Sequence, residues 1–158
     1  MNLGSSFKNN YLLAVVFVSG MATMAVEMTA SRLLAPFFGS SLFVWTNLIG
    51  VVLAALSIGY YIGGKLADKH KSEALFYKII FGAGIFFALI PFISKPIMRL
   101  AIGGFQKVSL GLFYGSLLAT LLLFALPLFL LGIVSPYAIR LRSDNVETVG
   151  KISGSIYS

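Results

Sequence analysis

The chain has 158 residues, 58% hydrophobic and only 11% charged, with a net charge of +7 and a mean hydropathy of +0.94. An ordinary soluble domain is about a quarter charged, and a soluble fold of this size cannot hide so much apolar surface, so the composition points to an integral membrane protein. There is no cysteine, which excludes disulfides and thiolate metal sites, and the basic residues lie between apolar segments, so they read as topology signals and not as a nucleic-acid surface.

Residues 1–158 read as one all-α transmembrane domain. Met1 to Asn10 carries one lysine and no clear small-residue cleavage site follows, so the first apolar segment, residues 11–36, is expected to be a retained helix and not a removed signal peptide. At about 1.5 Å per residue it crosses a bilayer core of roughly 30 Å. Glu27 falls inside it, where a carboxylate costs a few kcal/mol. Thr23 and Ser31, four positions away on either side, share its face, and so does Gly20. Arg32, five positions on, projects about 140° away and is a poor direct partner. Glu27 is either a structural group hydrogen-bonded to another helix or protonated in lipid, or it serves a solute or a proton.

Phe37 to Ser41 reads as a short turn, and the second span covers residues 42–66. Trp45 suits an interfacial anchor at its start. Ala55, Gly59 and Gly63 recur every fourth residue, a spacing that lets two helix backbones approach closely. Asn47 and Ser57 can line a cavity or bond another helix. A polar stretch from Ala67 to Glu73 leads to the third span, residues 75–93. Ser94 to Ser109 carries Lys95, Arg99 and Lys107 among apolar residues, which predicts an amphipathic interfacial segment ended by Gly103-Gly104, with an ordered loop as the alternative. The fourth span, residues 110–139, contains Ser116, Thr120, Pro127, Gly132 and Pro136; the prolines should kink it or loosen its end. Residues 143–158 repeat Val146, Val149, Ile152 and Ile156 at helical spacing, which reads as a partial fifth helix of a longer protein or as a cytoplasmic tail. The lysine and arginine bias places both ends in the cytoplasm of a multi-pass protein of the cell membrane.

Two resemblances follow from these strings. Gly63-Gly64-Lys65-Leu66-Ala67-Asp68-Lys69-His70-Lys71 resembles the loop signature of the major facilitator superfamily, in which the aspartate latches the loop to neighbouring helices; here that implies a conformational latch at Asp68 with Gly64, although Lys69-His70-Lys71 departs from the family ending. Glu27, the run from Ala30 to Ser41, Val44-Trp45, the run from Ser57 to Asp68, Leu126 to Gly132, Ser135 to Ala138 and Val149 to Tyr157 together resemble the membrane region of the spermidine-synthase-like membrane proteins. These join a facilitator-like helical region to a soluble aminopropyltransferase-like domain. The resemblance implies a major-facilitator-like half, a last segment that continues into another helix, and polyamine chemistry.

Catalytic chemistry is not legible. Gly63-Gly64 ends a membrane helix and is no nucleotide loop, and the five acids, Glu27, Asp68, Glu73, Asp144 and Glu147, form no cluster. No catalytic residue, metal ligand or cofactor is expected, and His70 reads as a solvated loop residue. Two functions stay open. One is a module that binds or moves a small cationic solute such as a polyamine, with Glu27, Thr23, Ser31 and Asn47 as candidate binding residues. The other is a non-transporting anchor or assembly module for an aminopropyltransferase-like domain or partner. Four or five helices are few for alternating access, so further helices or a homo-oligomer are expected.

Overall fold

The computed structural model describes residues 3–105 and 111–142. Among them the chain is helical throughout its elements: α1 (Leu3–Phe38), α2 (Leu42–Lys69), α3 (Glu73–Phe105), α4 (Gly111–Thr120), a π-helical turn (Leu121–Ala125) and α5 (Leu126–Arg142). Four stretches, Tyr11–Phe38, Leu42–Lys69, Glu73–Gly104 and Gly111–Arg142, are long and apolar enough to cross a membrane. The partial fifth helix or tail expected at 143–158 lies outside the described residues, as does Lys107.

Local chemistry explains the breaks. Gly39 has φ +73°, a left-handed conformation that glycine adopts without strain, and its N–H donates to the Ala35 carbonyl at 2.9 Å as α1 ends. The fourth span is continuous through its π turn, with helical angles at Thr120 and Leu126 on either side. Pro127 follows at once; it has no N–H to donate to Leu123, and a wide turn at that place relieves the clash of its ring. The expected kink is therefore this turn, and α5 runs on through Pro136 to Arg142.

The interfacial segment expected at 94–109 is not a separate element over its described part, and residues 106–109 lie outside the described residues. α3 continues through Ser94, Pro96 and Gly103-Gly104 to Phe105. Its buried stripe explains why: Phe76, Ile79, Ala83, Ile90, Ser94, Met98 and Ala101 are all buried, at spacings that keep one helix face turned to the core across the expected boundary. Lys95 and Arg99 lie on the exposed side of the same helix, and this one-sided charge imitates a surface helix.

The bundle is organised around α2 and the fourth span. In the fourth span 56% of the most apolar window is buried, against 17% in the first, so the fourth helix is central and α1 peripheral. α2 and α5 form the most extensive helix pair. They run parallel, since Gly59 meets Gly132, and Asp68 further along meets Arg140. Their contact is backbone on backbone. A Cβ on Gly59 would lie 2.5 Å from the Phe129 carbonyl oxygen and 2.9 Å from Gly132 Cα, and one on Gly63 would lie 2.8 Å from Ile133 Cα. In lipid, apolar side chains gain little by leaving the acyl chains, so close packing of this kind supplies much of the attraction. Two buried clusters flank it. One gathers Leu34, Leu48, Met98 and Leu128; the other gathers Leu12, Phe76, Val134 and Tyr137 beside the α2–α3 loop.

Gly59→Ala should lose about 1–3 kcal/mol, because backbone must move to admit the methyl and this outweighs the gain in helix propensity of about 1 kcal/mol. Gly64→Ala, whose methyl would meet nothing within 4 Å, should be neutral or stabilising. Unfolding of both variants in mixed micelles distinguishes them.

Candidate functional site

Glu27 is half-buried on α1. Among the described residues no hydrogen bond or ion pair reaches its carboxylate. Its hydroxyl neighbours do not supply one, because each bonds its own helix. Thr23 Oγ1 donates to the Ser19 carbonyl at 3.0 Å, Ser19 Oγ to the Val15 carbonyl at 2.8 Å, and Ser31 Oγ to the Met28 carbonyl at 2.8 Å. Serine and threonine commonly turn back in this way within apolar helices.

The four candidate binding residues do not share one cleft. Thr23, with Ser19, Gly20, Tyr60 and Ser135, lines an open cleft of about 400 Å³ between α1, α2 and α5. Ser31 lines a smaller one with Arg32 and Trp45. Glu27 lines neither. Asn47 is buried between α2 and α4, where its Nδ2 donates to the Phe113 carbonyl at 2.8 Å and to Ser116 Oγ at 2.9 Å. Ser116 Oγ also donates to the Phe113 carbonyl, and Thr120 Oγ1 to the Ser116 carbonyl. Asn47 thus joins two helices at one end of their parallel contact.

The other end is closed by the α2–α3 loop. Arg140 Nε lies 2.8 Å from Asp68 Oδ1, with the Asp68 side chain 66% exposed and that of Arg140 34%. Exposed pairs of this kind contribute about 0–1 kcal/mol. The stronger fastening is Tyr137, fully buried and stacked on Phe76 with ring centroids 5.8 Å apart. Its hydroxyl donates to the His70 carbonyl, lies 3.1 Å from the Ser72 carbonyl, and accepts from the Ser72 N–H at 3.2 Å. One phenol therefore satisfies the backbone of a loop that has left the α2 helix. Gly64, paired with Asp68 at the sequence level, makes no such contact; Gly63 is the glycine pressed against α5.

Arg140 and Tyr137 are site residues that the sequence alone does not single out. Their signal was a hydroxyl and a guanidinium three positions apart, on one face of the last turns of an otherwise apolar helix. His70 contributes its carbonyl to the Tyr137 contact, and among the described residues no group of three or more histidine or carboxylate side chains could hold a metal ion.

No protein-family model, no curated protein and no solved structure matches the chain.

Tyr137→Phe removes the partner of the loop carbonyls and should cost about 1–3 kcal/mol. It should also speed tryptic cleavage after Lys71 several-fold, whereas Asp68→Asn should change the cleavage rate little. Limited proteolysis in detergent, followed by mass spectrometry, reads both.

Proposed function

We propose that this chain is the membrane module of a spermidine-synthase-like protein and that it binds, or helps to move, a small cationic solute of the polyamine class, with Glu27 as the attracting carboxylate. One observation carries the reading: Glu27 sits midway along an apolar span without a hydrogen-bond or ion-pair partner among the described residues. A structural glutamate at such depth is expected to bond a neighbouring helix, because leaving it unpaired in lipid costs several kcal/mol. A carboxylate kept without a partner is suited to receive one from outside the chain. The polyamine class rests on the resemblance, and the basic α2–α3 end faces the cytoplasm in this reading. The Asp68–Arg140 pair is in keeping with a facilitator-like latch.

An assembly role is the second reading, and exposed surface favours it. Phe17, Met21, Met24 and Met28 on α1 and Phe81, Phe92 and Leu100 on α3 are exposed, so further helices or another copy can cover these faces as well as lipid can. A facilitator-like path also needs a counterpart to these four spans.

Full-length protein in nanodiscs of zwitterionic lipid should bind spermidine saturably by calorimetry, and Glu27→Gln should weaken that binding at least tenfold while the helical signal is kept. Absence of spermidine binding, or equal binding by Glu27→Gln, would leave assembly as the function.

A further inference from the structure

The cleft that Ser31 lines is a second place of chemical interest, and it is independent of Glu27. It lies at the α1–α2 corner, holds about 160 Å³, and is lined by Arg32, Ser40 and Trp45 over an apolar floor that includes Val44 and Leu48. The volume is far more than one water needs. Three of its side chains bring hydrogen-bond donors: a guanidinium, a hydroxyl and an indole N–H. Among the described residues none of the three has a hydrogen-bond or ion-pair partner, and Arg32 and Ser40 are exposed and Trp45 half-buried.

The nearest acid does not answer Arg32. Glu27 projects about 140° away around the helix, and Asp68 and Glu73 belong to the α2–α3 end of the bundle. Arg32 is one turn and a half before α1 ends at Phe38, and Trp45 is in the first turn of α2. Arginine and tryptophan near the ends of apolar spans sit at headgroup depth. The cleft thus brings the last turns of α1, the Gly39-Ser40 turn and the first turns of α2 together.

We propose that the α1–α2 corner is an oxyanion site that takes a phosphate group, with Arg32 as the forked charged donor and Ser40 and Trp45 as the neutral donors. A guanidinium matches two oxygens of a phosphate at once, and a donor set without a carboxylate selects an acceptor-only ligand. A phospholipid headgroup and free phosphate share this chemistry.

The chain has one tryptophan, so Trp45 reports on its own cleft. Full-length protein in a maltoside detergent, which carries no phosphate, is titrated with inorganic phosphate and with dihexanoyl-phosphatidylglycerol while Trp45 emission is followed. A saturable change is expected, weakened at least tenfold in Arg32→Gln and less in Arg32→Lys. A response to inorganic phosphate alone identifies a free oxyanion as the ligand; a response to the lipid, with or without phosphate, identifies a headgroup. No saturable change with either, or an unchanged one in Arg32→Gln, overturns the proposal. If Arg32→Gln loses its helical signal, Ser40→Ala on the exposed turn takes its place, with at least threefold weakening expected and no weakening counting against the site.

Discussion

The close approach of α2 to the fourth span is the constraint on which the other features depend. Gly59, Gly63 and Gly132 bring two helices together at backbone distance. That contact fixes their parallel direction and their register. Register then decides which polar groups meet. It puts Asn47 beside Phe113 and Ser116 at one end, and Asp68 beside Arg140 at the other. With less intimate packing, a helix rotation of a few tens of degrees would separate both pairs.

The same frame divides the polar groups into those used and those left over. Asn47, Ser116 and Tyr137 are bonded within the protein and explain themselves as connections between helices or to the loop. The hydroxyls of Thr23 and Ser31 are bonded to α1 itself. Among the groups left over are the Glu27 carboxylate and the donors of Arg32, Ser40 and Trp45. They belong to α1 and its junction with α2, the part of the bundle that the central contact holds least. There a solute, a lipid or another helix can reach them.

The sequence made the four spans and the glycine repeat of α2 legible, because both are periodic signals that depend on composition alone. It did not reveal the partner of that repeat: Gly132 stands alone between Leu131 and Ile133, and only the fold brings it to Gly59. The third helix was cut short because Lys95, Pro96 and Arg99 mark a boundary locally, while the buried stripe through Ser94, Met98 and Ala101 carries the helix onward. The candidate site was legible residue by residue but not as a set. Glu27 was visible as the one acid within a span, yet its assembly with Thr23, Ser31 and Asn47 assumed that polar residues at similar depth converge. In lipid such residues are as readily satisfied by their own helix or by one neighbour. Tyr137 was hidden because an aromatic residue near a helix end reads as an interfacial anchor.

The parallel α2–α5 contact can be tested directly, because the chain lacks cysteine and tolerates a clean pairwise experiment. Cysteine pairs are introduced at Asn47 with Ser116, at Asp68 with Arg140, and at Asn47 with Arg140, and each is treated with a short thiol cross-linker in native membranes. Efficient cross-linking is expected within the first two pairs and none in the third. Cross-linking of Asn47 with Arg140, or failure of both other pairs in folded protein, would contradict the register on which the whole arrangement rests.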